Sequence, residues 1–228
     1  MNPQIKAVVF DMDGVLIDAR EWHYESLNRA LGLLGYEITR YEHLTTYDGL
    51  PTKRKLRMLT VERGLPEELH GFLNSLKQQY TLELVATRCK PVFHHQYALS
   101  QLKGAGYSLG VASNSVRRTV EEMMERSDLM RYLDVVISNE DVSRPKPDPE
   151  MYLAAMDRLK VRPEETVIVE DNENGVKAAR ASGANVLVVE GPDDVTLDAI
   201  KSRIAAAEST SLSRSALPAQ TAERRVAA

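Results

Sequence analysis

The sequence predicts an α/β fold, a doubly wound (Rossmann-like) parallel sheet core with an inserted α-helical domain. Three observations predict it. Five short segments are apolar, rich in β-branched residues and bounded by turn residues, the texture of strands buried on both faces. Helix formers fill the gaps between the later four. Between the first strand and the second lies a long stretch with helical periodicity and no convincing strand.

The first strand is placed at 7–10, Ala-Val-Val-Phe. From residue 21 to 86 the pattern turns helical: Leu27, Ala30, Leu31 and Leu34 fall at helical spacing, Leu56 and Leu59 recur after Pro51-Thr52, and Leu69, Phe72, Leu73 and Leu76 recur after Pro66. Residues 19–86 are therefore read as a helical lobe. Residues 1–18 and 87–205 form the α/β core, and the chain crossings near Asp18 and Thr87 are candidate hinges. Further strands are placed at 109–112, 135–137, 166–169 and 186–189, with helices at 117–130, 150–159 and 175–181 between them. After Glu190 the apolar periodicity fades. Leu212 and Leu217 are too few to define a face, so 206–228 is expected to be a flexible C-terminal tail.

Composition narrows the class of partner. The chain of 228 residues is 43% hydrophobic and 27% charged with a formal net charge of −4, values of an ordinary globular protein. A pI near 5.8, with Lys and Arg spread along the chain, argues against a nucleic-acid partner. Cys89 is the single cysteine, which excludes an internal disulfide or a Cys-cluster metal site. No apolar run is long enough to span a bilayer, and residues 1–6 carry no export pattern, so a cytoplasmic protein, monomeric or weakly homo-oligomeric, is expected.

The chemistry is concentrated where strands end. Val8-Val9-Phe10-Asp11-Met12-Asp13-Gly14 is an apolar strand that stops abruptly in two acids, at the strand edge where open α/β sheets bind ligands. Ser113-Asn114-Ser115 closes the second strand and Glu170-Asp171-Asn172 the fourth, while Lys146 sits in a proline-stiffened loop after the third. Each signal alone has an ordinary explanation: a loop for Asp-x-Asp, a helix N-cap for Ser113, a solvated turn for Lys146. Four such clusters at successive strand ends point instead to one site. Carboxylates beside a fixed cation suit a phosphoryl group. Asp11 and Asp171, with Glu170 and the Asp13 backbone carbonyl, are hard oxygen ligands for Mg²⁺. Lys146 and Ser113 are placed to hold phosphoryl oxygens, Asp11 to attack phosphorus and become an aspartyl-phosphate, and Asp13 to act as general acid and then base.

In order and spacing these motifs resemble the haloacid dehalogenase superfamily. Asp11-Met12-Asp13-Gly14-Val15-Leu16 resembles its nucleophile motif, Ser113 its second motif, Lys146 its third and Glu170-Asp171-Asn172-Glu173-Asn174-Gly175 its fourth. The nearest likeness is to the subgroup of β-phosphoglucomutase and sugar-phosphate phosphatases with a small α-helical cap, which implies that 19–86 is that cap. Asn172 departs from the serine usual in the subgroup. The resemblance implies a place near the catalytic acids for His23. It also implies that the Gly49-Leu50-Pro51-Thr52-Lys53 segment is a substrate-specificity loop, so Asn114, His23, Thr52 and Lys53 are candidate substrate-binding residues. A solvated helix face is an equal reading for Arg54, and His94 and His95 are read as structural or surface residues. A Mg²⁺-dependent phosphatase of a small phosphorylated metabolite, a sugar or polyol phosphate, is the expected activity. The alternative is a β-phosphoglucomutase-type phosphomutase, against which Thr52 counts because the mutases carry arginine there.

Overall fold

The structure, a computed structural model, describes residues 4–215. Strand β1 (Ala7–Phe10) is wholly buried and forms the middle of a five-stranded parallel sheet. With β2 (Ser108–Ala112), β3 (Val135–Ile137), β4 (Thr166–Glu170) and β5 (Asn185–Val188), the order is β3-β2-β1-β4-β5. Ala7 pairs with Ser108 on one side and Thr166 on the other, which brings the carboxyl ends of β1, β2 and β4 level. The chain winds outward from β1 through β2 to β3, then returns to build β4 and β5 on the other side. The reversal beside β1 is the switch point at which such sheets open a crevice.

Alternation along the strands explains the two covering layers. Val8 and Phe10 pack with Val111, Val169, Leu99, Met123 and Ile200 on one face, while Val9 packs with Ile137, Ile168, Tyr152, Met156 and Ala179 on the other. Each fully buried Val or Phe contributes about 1.5–3 kcal/mol relative to exposure.

The segment between β1 and β2 is helical, as its periodicity predicts. It comprises α1 (Arg20–Gly32), the short α2 (Arg40–Glu42) with the wider turn His43–Tyr47, α3 (Thr52–Arg63) and α4 (His70–Arg88). Leu27, Leu31, Ile38, Tyr47, Leu56, Leu59 and Leu73 make a core of their own, separate from the two cores on the sheet. The chain then enters α5 (Phe93–Gly104), a helix not anticipated from the sequence. His94 and His95 lie at its start and both donate Nε2–H to the Pro192 carbonyl, at 3.2 and 2.9 Å. That shared acceptor ties α5 to the 192–194 turn.

Helices α6 (Arg117–Arg126), α7 (Glu150–Leu159) and α8 (Glu173–Ala181) follow. The first stops before residue 130 because Asp128 adopts a left-handed φ of 57°, which a continuous helix does not accommodate. Helix α8 starts at Glu173 because Asn172 caps it, its side-chain oxygen accepting the N–H of Asn174 at 3.0 Å. Helix α9 (Leu197–Ser215) corrects the expectation of a flexible segment from 206. Ile200, Ile204 and Ala207 lie one turn apart and are buried against the sheet, a face narrow enough to escape notice among small residues. Residues 216–228 of that expected tail lie outside the described residues. Among the described residues no helix is long and apolar enough to cross a membrane.

Candidate active site

Immediately after β1 the backbone turns back on itself. The Asp11 N–H still donates to Val169, and the Leu16 and Ile17 N–H groups return to the Met12 carbonyl. Gly14 makes this turn possible with φ of 88°, and a Cβ there would stand 2.1 Å from Asp171 Oδ2. The turn sends Asp11 inward and Asp13 toward the helical lobe.

On the inner side, Lys146 Nζ donates to Asp11 Oδ1 (2.5 Å), Glu170 Oε1 (2.7 Å) and the Ala112 carbonyl (2.9 Å). Asn114 fixes the loop that carries Lys146, since its Oδ1 accepts the Lys146 N–H at 3.1 Å. Glu170 is engaged on both oxygens: Oε1 also accepts the Tyr152 hydroxyl (2.6 Å), and Oε2 accepts the N–H groups of Asp171 (3.0 Å) and Asn172 (3.2 Å). Those four donors fill the acceptor positions of a carboxylate. Gly175 leaves space for this arrangement, because a Cβ at that position would lie 1.7 Å from Glu170 Oε1.

Asp11, Glu170 and Asp171 each bring one oxygen within 4.8 Å of the others, a group able to hold a metal ion. Asp171 Oδ1 is buried with no hydrogen-bond partner, and Asp11 Oδ2 accepts no hydrogen bond among the described residues. Burial pushes the Asp11 carboxyl well above the usual carboxylate range; Lys146 opposes this, while Glu170, Asp13 and Asp171 reinforce it. Burial and then Glu170 raise Asp171 to about 6 against the pull of Arg20. Hard, crowded carboxylates with unfilled oxygens fit a divalent cation.

On the outer side, Asp13 Oδ1 lies 3.0 Å from His23 Nε2, and Oδ2 accepts the hydroxyls of Ser115 (3.1 Å) and Ser113 (3.3 Å). Lys77 Nζ approaches His23 Nδ1 at 3.1 Å. An ammonium only donates, so Nδ1 accepts, Nε2 carries the proton, and a neutral His23 donates to Asp13. Burial alone would raise Asp13, but His23, Ser115 and Lys77 together hold its carboxyl below the usual range. Burial and the neighbouring Lys77 lower His23. Two acids two residues apart thus occupy opposite environments, Asp11 among carboxylates and Lys146, Asp13 among hydrogen-bond donors.

A cavity of about 950 Å³ opens over both acids. It is lined by Asp11, Asp13, His23, Thr52, Lys53, Asn114, Lys146, Glu170 and Asp171, so nearly all the residues singled out in the sequence converge. Ser113 does not line it; its side chain is fully buried, and Ser115 takes the position facing the cavity. Residues 8–189 match the family model described as haloacid dehalogenase-like hydrolase. The chain belongs to that family. Among its relatives, a phosphorylated carbohydrates phosphatase of Thermotoga maritima is 31% identical over 78% of this chain and 82% of its own length. A phosphoglycolate phosphatase of Nitrosospira multiformis is 29% identical over 85% and 89%. The structure of CbbY from Rhodobacter sphaeroides in complex with phosphate superposes with a TM-score of 0.75 and 25% identity over 82% of this chain and 87% of that one. This haloacid dehalogenase-like hydrolase is an enzyme, and those curated relatives are phosphatases.

Several residues in and beneath the hydrolase's cavity have no counterpart in the sequence reading. Arg20 bridges Asp48 (3.2 Å) and Asp171 (3.5 Å), tying the start of α1 to the acids. Tyr152, fully buried, holds Glu170 through its hydroxyl, and its ring lies 4.6 Å from Lys146 Nζ. Lys55 and Lys77 are 7% and 6% exposed. A usable signal existed for Lys77, which shares a helical stripe with Leu73, Thr81 and Leu84.

Burial pushes Lys55 down to about 8 and Lys77 to about 7. Unfolded lysine titrates near 10.4, so between pH of about 7 and 10 the unfolded chain binds more protons and stability rises with pH. Below that window both states are protonated and the full penalty applies. A Lys55→Met, Lys77→Met double variant is therefore expected to melt higher than the parent near pH 6.5, with the difference shrinking toward pH 9. Thermal denaturation across that range checks it; a constant difference would contradict the assignment.

Proposed function

We propose that this enzyme is a Mg²⁺-dependent phosphatase of a small phosphorylated metabolite, a sugar or polyol phosphate, acting through an aspartyl-phosphate on Asp11. The observation that carries the reading is the split at the end of β1: Asp11 lies among acids and Lys146, while Asp13 faces the same cavity held by His23 and Ser115. Likeness to a phosphorylated carbohydrates phosphatase supports the substrate class.

Asp11, Asp171 and the Asp13 backbone carbonyl would hold the ion, with Glu170 positioning Lys146 and the loop after β4. The bound ion supplies charge neutralisation between these carboxylates and the phosphate oxygens. One Asp11 oxygen would hold the ion and the other attacks phosphorus, with Lys146, on Oδ1, fixing the carboxylate between the two. Asp13, ionised in the free enzyme, takes up a proton as the phosphate monoester binds, and it gives that proton to the departing alkoxide as the bond from phosphorus to the ester oxygen breaks. Ionised Asp13 then takes a proton from water as that water attacks the phosphorus of the aspartyl-phosphate. Inorganic phosphate leaves, Asp11 is restored and Asp13 is protonated again. His23 and Ser115 aim Asp13 for both transfers. We read residues 19–86 as the cap that closes over this chemistry and 1–18 with 87–205 as the core. Thr52, Lys53 and Asn114 lie along the substrate cavity.

Incubation with a panel of sugar and polyol phosphates is expected to release inorganic phosphate with Mg²⁺, and to lose at least ~100-fold of that rate when a chelator removes the ion. Release that is indifferent to chelator would contradict the metal's role. Interconversion of glucose 1-phosphate isomers without phosphate release would favour the mutase instead.

A further inference from the structure

Two irregular loops carry groups that touch the two acids. Residues 113–116, after β2, bring Ser115 to Asp13 Oδ2 at 3.1 Å, and residues 138–149, after β3, bring Lys146 to Asp11. Among the described residues, every hydrogen bond between 113–115 and 138–149 has Asn114 or Asn139 as a partner. Asn139 donates its N–H to the Ser115 carbonyl (3.1 Å) and its Nδ2–H to the Asn114 carbonyl (2.9 Å). Asn114 in turn grips the Lys146 backbone, with Oδ1 accepting the N–H at 3.1 Å and Nδ2 donating to the carbonyl at 3.5 Å.

Asn139 follows Ser138, and Ser138 is fixed by Asp141. The fully buried Ser138 donates both its N–H (2.8 Å) and its hydroxyl (2.7 Å) to Asp141 Oδ2. Arg117, the first residue of α6, pairs with the same oxygen, and Arg158, in the last turn of α7, pairs with Oδ1 at 2.9 Å. One carboxylate thus gathers four donors from the end of β3 and from the two helices into which the loops lead. Burial would raise Asp141, but Ser138, then Arg158 and Arg117, hold its carboxyl well below the usual range, so it is ionised at neutral pH. A cation at the first residue of a helix opposes the macrodipole, so the place of Arg117 serves Asp141 and not the helix. Asp141 neither lines the cavity nor touches Asp11 or Asp13, which gives it no part in the proton transfers.

We propose that Asp141 is a positioning residue for phosphoryl transfer: through Ser138, Asn139 and Asn114 it sets Lys146 against Asp11 and Ser115 against Asp13. Lys146 and Ser115 stand on loops with no ladder of their own, and a misplacement of about 1 Å at a reacting centre can cost on the order of 100-fold in rate. An ionised hub braced by two helices lends those loops the rigidity of regular structure. The inference rests on the phosphatase reading for its kinetic effect, though not for the placement of Lys146.

Asp141→Ala is expected to lower kcat about 10- to 100-fold on sugar and polyol phosphates with KM within about threefold, measured well below the melting temperature of each variant so that all the protein is folded. Asp141→Asn, which keeps an acceptor for Ser138 and gives up the arginines, serves if the alanine variant does not fold. Asn139→Ala cuts the same chain of contacts one link further on. Its cost is expected to be about tenfold in the parent and under about twofold in an Asn114→Ala background, where the clamp on Lys146 is already gone. A second readout needs no turnover: the Lys146 ammonium signal in nitrogen NMR of lysine-labelled full-length protein, assigned by its loss in Lys146→Arg, is expected to shift and broaden in the Asp141 variant. A parent-like kcat, losses at Asn139 and Asn114 that simply add, or an unmoved Lys146 signal overturns the inference, while phosphate release by the parent leaves the phosphatase reading intact. A displaced Lys146 signal in a protein whose parent releases phosphate from no substrate overturns the phosphatase reading and leaves the brace standing.

Discussion

Asp11→Asn is expected to lower phosphate release at least ~10⁴-fold, the scale on which removal of a covalent nucleophile is felt. The amide keeps the size of the carboxyl but neither attacks phosphorus nor carries the charge that draws a cation to Asp171. The fold should survive. Lys146 retains Glu170 Oε1 and the Ala112 carbonyl, and one of several mutually repelling acids has been neutralised. A melting temperature at or above that of the parent, together with lost turnover, is the expected pair of results. Activity within tenfold of the parent would remove Asp11 from the nucleophile's role.

Asp13→Ala is expected to cost about 10²–10⁴-fold on alkyl phosphates, because their alkoxide leaves poorly without a proton. The loss should fall sharply for p-nitrophenyl phosphate in the first half-reaction, since that phenolate needs little protonation. Hydrolysis of the intermediate should remain slow for both substrates, because water still lacks its base. Metal affinity should change little, since the side chain of Asp13 is turned toward His23, Ser113 and Ser115 and not toward Asp171. Equal losses on both substrates in the first step would deny Asp13 its part as acid.

The sheet was legible because parallel strands buried on both faces leave continuous apolar runs, and each run here ends in polar residues at the same rim. Strand β1 shows this most plainly, passing from Phe10 to Asp11 in one step. Strand β5 lies one residue earlier than its apolar pattern indicates, at the sheet edge where burial is only partial and the pattern weakens. Helix α5 was hidden because Phe93 and Tyr97 are exposed while His95 is buried, which inverts the usual pattern. In the site, residues contributed by strand ends could be found by position alone. Those contributed by the helical lobe could not, because a lysine on a buried stripe is indistinguishable from a solvated one until the partner surface is in place. Lys53 and Arg54 attracted notice as cations near the glycine loop, yet both are exposed and Lys55 is the one turned inward. Tyr152 and Glu170 show the same limit, since a hydroxyl that fixes a carboxylate across two elements leaves no local trace.

The covalent step is the centre of the account, and acid quenching tests it most directly. Asp13→Ala protein is mixed with p-nitrophenyl phosphate and Mg²⁺, stopped within the first turnover, digested and weighed by mass spectrometry. One phosphoryl group on the peptide containing Asp11, appearing with a burst of nitrophenol and decaying slowly, is the expected result. Nitrophenol released in step with inorganic phosphate, with no phosphoryl group on that peptide, would contradict a nucleophilic Asp11 and leave direct attack by water in its place.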